Sequence, residues 1–112
     1  MPTINENGLF TVLIEFEVDP GRQKALIDAI ADQVEQHFKS YSGFVSTSFH
    51  ASDDGRRVVN YAKWLSKDAW EETFGASGGD EVQVAIGEAI GRHGAKTLKI
   101  DTFHIARVVE NT

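Results

Sequence analysis

At 112 residues the chain has room for one domain and one hydrophobic core, and we read residues 1–112 as a single domain with a flexible stretch at 1–8. A net charge of −6 and unclustered Lys and Arg argue against a nucleic-acid binder, and the lack of cysteine excludes disulfides, thiolate metal sites and a cysteine nucleophile. No apolar run approaches the ~20 residues of a membrane helix. The opening MPTINENG lacks the basic and apolar parts of a signal peptide, so the expected location is cytoplasmic.

Taken in chain order, Leu9 to Val18 alternates Phe10, Val12, Ile14, Phe16 and Val18 against Leu9, Thr11, Leu13, Glu15 and Glu17, which predicts a strand. Asp19 reads as an N-cap with Pro20 in the first turn, where its missing N–H costs nothing. The helix that follows reaches about Ser40 on apolar positions Ala25, Ile27, Ile30, Ala31, Val34 and Phe38, and Gly43 reads as its C-cap. Two strands are expected at Phe44–Ser52 and Arg56–Trp64. Ser66 then opens a helix to about Phe74, Gly75 to Gly79 is a break, and Asp80 to about Gly91 is a further helix. Thr97 to Val109 is the last strand. The order is βαββαβ with the second helix interrupted, an α+β, ferredoxin-like arrangement with a four-stranded antiparallel sheet.

The hairpin HASDDGRRVVNYAKW is the most informative stretch. A three-residue loop, Asp53-Asp54-Gly55, sets His50 opposite Val58, Ser48 opposite Asn60 and Phe44 opposite Trp64. Because side chains alternate, His50, Asn60 and Trp64 then share one face among small or apolar neighbours. An uncharged amide and an indole on an apolar face suggest a pocket for a flat ligand with few polar atoms. A core amide and a packing tryptophan describe the same residues as well. The opposite face of the sheet is expected to carry Leu13, Val45, Phe49, Val59, Tyr61, Phe103 and Ile105. Leaving it wet would forfeit several kcal/mol at roughly 25 cal/mol per Å², so a homodimer formed sheet to sheet is expected.

Other residues carry less chemistry. His37, His93 and His104 have no metal-ligand spacing, and no Gly-rich loop joins a strand to a helix, so neither a metal nor a nucleotide site is expected. Arg92 and His93 at a helix end are explained by the helix dipole.

The element order together with FHASDDGRRVVNYAKWLSKDAWEETF resembles the antibiotic biosynthesis monooxygenase family of dimeric α+β barrels, nearest to the cofactor-free polyketide anthrone oxygenases of the actinorhodin-pathway type. The resemblance spans about Phe10 to Phe74. It implies a homodimer that uses molecular oxygen without metal, flavin or haem and converts an electron-rich aromatic, an anthrone or quinol, to a quinone. It matches Asn60 and Trp64 to the catalytic pair, His50 to a pocket histidine and Trp70 to a substrate-binding aromatic position. Where relatives carry an arginine in the later helix, this chain has Val82, Gln83 and Val84, and its next arginine is Arg92.

Such chemistry makes modest demands on a protein. A deprotonated anthrone can pass one electron to triplet oxygen, so a site need only favour the anion, hold it flat and keep the radical pair together. The amide N–H of Asn60 suits an enolate oxygen, and the Trp64 indole N–H suits oxygen or a peroxide. His50 is the side chain on that face able to exchange a proton near neutral pH. Two other readings stay open. One is a non-catalytic barrel that binds a small aromatic ligand. The other is a haem-degrading oxygenase of the same fold, disfavoured because Ser66 to Ala85 contains no histidine to hold haem.

Overall fold

The alternating residues of the first strand divide as their pattern requires. In the computed structural model, which describes residues 9–75 and 80–111, β1 (Phe10–Glu17) buries Phe10, Val12 and Phe16 beneath the helices. A 3-10 turn (Pro20–Arg22), closed by the Arg22 N–H on the Asp19 carbonyl, precedes α1 (Gln23–His37). The Asp19 side chain makes no capping hydrogen bond, so the cap expected there is absent. Leu26, Ile30, Val34 and, in a second 3-10 turn (Phe38–Ser40), Phe38 form the buried stripe at i, i+4 spacing, while Ala25 is exposed.

Gly43 serves a different purpose from the expected C-cap. Among the described residues only Gly55 and Gly94 have positive φ. A Cβ on Gly43 would lie 2.5 Å from Cβ of Ala69, so the glycine lets the helix α2 (Lys67–Gly75) cross directly over the entry to β2 (Phe44–Ala51). Ser66 caps α2 as expected, its Oγ accepting the Ala69 N–H at 3.0 Å. α3 (Asp80–Arg92) follows, and residues 76–79 of the expected break, like 1–8, lie outside the described residues.

With β3 (Arg57–Trp64) and β4 (Lys96–His104), the strands form one antiparallel sheet in the order β2-β3-β1-β4, the ferredoxin-like arrangement. β4 is shorter than the expected Thr97–Val109. Its pairing with β1 ends at Phe10 opposite His104, where β1 begins. Ile105 makes one further hydrogen bond, to the Leu9 carbonyl, and lies outside the strand.

The register of the hairpin differs from expectation, with consequences for the site. Its loop has four residues, Asp53 to Arg56, because Ser52 pairs with Arg57 through a 3.0 Å backbone hydrogen bond. Gly55, at φ +77, closes the turn. Gln23 of α1 fixes this length by donating to the carbonyls of both Ser52 and Arg57, at 3.1 and 2.9 Å. One extra loop residue slips the register by one, so His50 faces Val59, Ser48 faces Tyr61 and Phe49 faces Asn60. A bulge between Phe44 and Ser46 absorbs the slip, and Phe44 still pairs with Trp64 as expected.

The face away from the helices is therefore less apolar than expected. Phe49 turns inward and packs against the core, and the outer face keeps Leu13, Val59, Tyr61 and Phe103, the last two 36% and 49% exposed. His50, Ser48 and Lys63 share that face by register. An ion-pair row runs along it, with Glu15 between Arg57 at 3.3 Å and Lys99 at 4.0 Å, and Lys99 also 3.6 Å from Asp101.

Candidate active site

Between the inner face of the sheet and the three helices lies a cavity of about 400 Å³. Val12, Ile14 and Phe16 of β1 and Val34 and Ile30 of α1 form its floor and one wall, with Ile86 and Ile90 of α3 opposite and Ile100 of β4 at one side. Its described lining contains no Asp, Glu, His, Lys, Arg or Tyr. The polar groups reaching it are Asn60, Thr47, Gln83, Thr97 and the indoles of Trp64 and Trp70. A volume of that size and character suits a fused aromatic ring system.

Asn60 and Trp64 occupy alternate positions of β3 and point inward together, next to Val58 and Ala62. Asn60 is 8% exposed, a costly burial for a primary amide unless its polar atoms are satisfied. Its Nδ2 donates to Thr47 Oγ1 at 2.6 Å and to the Ser48 carbonyl at 3.1 Å. Both N–H groups are thus used within the hairpin. The expected role of donor to an enolate oxygen is not available to the amide in this arrangement; its free atom is Oδ1.

Trp64 is 1% exposed and wedged among Phe44, Phe74, Phe38 and Tyr41, with ring centroids 5.4 to 6.5 Å away. Its Nε1 is buried without a hydrogen-bond partner among the described residues. A buried donor left unpaired costs about 1–3 kcal/mol, so an indole held rigidly in this way is prepared for an acceptor that a ligand supplies. Trp70, on the first turn of α2, also lines the cavity, 5.5 Å from Phe10 and 6.3 Å from Phe74.

His50 does not join them. The one-residue slip puts it on the opposite face, edge-on to Tyr61 at 5.1 Å, with Nε2 3.1 Å from Ser48 Oγ. The expected pocket histidine is corrected accordingly. Arg92 is exposed at the end of α3 and does not line the cavity, whereas Gln83 does. His104 is exposed at the margin of the sheet. Thr47 and Thr97 were not legible as site residues. Each owes its inward position to a bulge, at Val45 in β2 and at the β1–β4 pairing beside Phe16, and an alternating pattern does not reveal a bulge.

The carboxyl of Asp54 is held below its ordinary range, first by the Arg56 backbone N–H at 3.0 Å and then by the Ser52 hydroxyl at 2.7 Å. It stabilises the hairpin turn and does not line the cavity. Among the described residues no group of three or more His, Cys, Asp or Glu is placed to hold a metal ion, and no helix is long and apolar enough to cross a membrane.

Comparison with known proteins places these features in context. Residues 9–77 match the model of the antibiotic biosynthesis monooxygenase family. The tetracenomycin-F1 monooxygenase of Streptomyces glaucescens is 43% identical over 68 residues, 60% of this chain and 61% of that protein. The match thus spans about three fifths of the curated relative's length. The crystal structure of the ActVA-Orf6 monooxygenase of Streptomyces coelicolor, in complex with nanaomycin D, superposes with a TM-score of 0.78 at 27% identity, covering 96% of each chain. SnoaB of Streptomyces nogalater, described as a cofactor-independent oxygenase, shares the fold at 17% identity, with a TM-score of 0.66 over 92% of this chain and 98% of its own.

Proposed function

Because the chain belongs to the antibiotic biosynthesis monooxygenase family, we propose that it is a cofactor-independent monooxygenase that oxidises an electron-rich polycyclic aromatic, such as a polyketide anthrone, to a quinone. The observation that carries this reading is the apolar cavity lined by Asn60 and Trp64, the buried indole N–H of Trp64 having no hydrogen-bond partner among the described residues. The similarity to a tetracenomycin-F1 monooxygenase and to a fold that holds nanaomycin D in a crystal supports a flat, fused-ring substrate.

The chemistry follows from the substrate and the cavity together. Transfer of a proton from the anthrone methylene to solvent water gives a delocalised carbanion, which transfers one electron to dioxygen, and solvent returns the proton to the peroxide that forms next. The radical pair recombines to a peroxide at that carbon. Loss of water from the peroxide gives the quinone carbonyl, so anthrone and one O₂ become quinone and one H₂O. Apolar walls keep the pair together and exclude competing water, while the Trp64 N–H stabilises the negative oxygen as it forms. Trp70 offers a ring face for the substrate.

Turnover also bears on the assembly. The outer sheet face, with Leu13, Val59, Tyr61 and Phe103, is the surface that we infer a second copy covers.

Oxygen uptake with an anthrone in buffer free of metal and flavin tests the activity directly. We expect one O₂ consumed per quinone formed, insensitive to a chelator. Trp64→Phe retains the ring but deletes the N–H, and should lower kcat by roughly 10² while the quinone still binds, the loss typical of one removed oxyanion donor. Activity abolished by chelation, or Trp64→Phe with wild-type turnover, would contradict the reading.

A further inference from the structure

The hydrogen bonds around Asn60 have a direction, and it decides what the amide can offer a ligand. Thr47 Oγ1 lies 3.2 Å from the Tyr61 carbonyl, which can only accept, so the single hydroxyl proton is given there. Toward Asn60 the same oxygen can then only accept, and it does so from Nδ2 at 2.6 Å. The Ser48 carbonyl accepts the other Nδ2 proton at 3.1 Å. Turning the amide over would set Oδ1 against two acceptors. The chain Asn60 N–H to Thr47 O–H to Tyr61 carbonyl therefore allows one orientation only, and each bond polarises the next.

That orientation leaves Oδ1 without a hydrogen bond among the described residues, on a residue that is more than nine-tenths buried and lines the cavity. Two inward positions further along β3, beyond Ala62, the Trp64 N–H is buried and also without a partner among the described residues. We propose that Thr47 is a positioning residue that locks the Asn60 amide with its oxygen available, and that the substrate is recognised through a phenolic hydroxyl donated to Asn60 Oδ1. The preferred ligand is accordingly a neutral hydroxylated polycycle. A phenolate at that one position would meet the amide oxygen as a second acceptor, so the hydroxyl that faces Asn60 is bound in its neutral form. This inference rests on the proposed function in taking the cavity as the substrate site.

The test uses binding as well as turnover. Quenching of the tryptophan fluorescence reports binding of β-hydroxyanthraquinone and of its methyl ether, each titrated into the full-length protein at a pH below the phenol's own pKa. The hydroxy compound should bind the wild type about tenfold or more tightly, since the ether covers the amide oxygen without donating to it. Thr47→Val keeps the shape of the side chain and removes one of the two acceptors for Nδ2, leaving only the Ser48 carbonyl to hold the amide, so the preference should fall. Thr47→Ser, which retains the hydroxyl, should restore it. With anthrone substrates the same pattern should appear in KM rather than in kcat.

Equal affinity of the two compounds for the wild type overturns the inference while leaving the cavity as the binding site. A preference that Thr47→Val leaves unchanged also overturns it, because discrimination would then come from the bulk of the methyl group. If neither compound binds, the site and the inference fail together. The wild-type comparison decides the matter even where Thr47→Val does not fold.

Discussion

Single residues in this protein divide by whether their polar atoms are satisfied from within. Asn60 is satisfied on its N–H side and Trp64 is not satisfied at all, and that difference separates a residue held in place from one awaiting a partner. Asp54 represents the opposite case, an exposed carboxylate whose hydrogen bonds serve the fold. Its folded pKa is depressed, so the stability it contributes is fully present above the ordinary value of 3.8 and is lost as pH falls through the lower folded value. Asp54→Ala should therefore lower the melting temperature at neutral pH, and the gap to wild type should close on acidification through that range. Thermal melts across pH check this; a gap that is constant with pH would assign the effect to the loop conformation alone.

At the scale of elements, close approach sets the geometry of the cavity roof. α2 carries Trp70 and Phe74 over the cavity, and its height above the sheet is set where Ala69 meets Gly43. Gly43→Ala brings a methyl group to 2.5 Å from Ala69 Cβ, so the helix must move outward. Overpacking of this kind costs about 1–3 kcal/mol. A fall of several degrees in Tm is expected, accompanied by a change in the fluorescence of Trp70. An unchanged Tm would mean that the α2 end yields freely. The hairpin shows a second control at this scale, since Gln23 measures the loop from α1 and thereby decides which face the residues of β2 between the loop and the bulge occupy.

The whole molecule has a sheet with one face under helices and the other bearing exposed Tyr61 and Phe103 beside a row of ion pairs. In the proposed homodimer this face is buried against its copy. Tyr61→Glu places a charge where an aromatic ring should pack, at a cost of several kcal/mol if unpaired. Sedimentation at micromolar concentration should show a dimer for wild type and a monomer for the variant. A wild-type monomer would refute the assembly. Phe49, which looked equivalent to Tyr61 by alternation alone, packs inward and would act on stability instead.

Much was legible in the linear pattern because local rules decide it. The period of two in Phe10 to Phe16, the Ile30, Val34 and Phe38 part of the helical stripe and the Ser66 cap followed from side-chain periodicity and capping chemistry, which a chain carries with it. Asn60 and Trp64 lie on a common inner surface for the same reason, whereas Trp70 on α2 was matched to the site by the family resemblance. The errors in the facing of β2 share one cause. Whether His50 or Phe49 faces the cavity depends on a single residue in the loop count, and that count is set by Gln23, twenty-nine residues from Ser52. The inward turn of Thr47, and through it the orientation of the Asn60 amide, depends on a bulge that only the facing strand imposes. Alternation is a property of one strand, whereas register belongs to two strands and whatever clamps them, so only the tertiary structure could decide which polar atoms the cavity is left with.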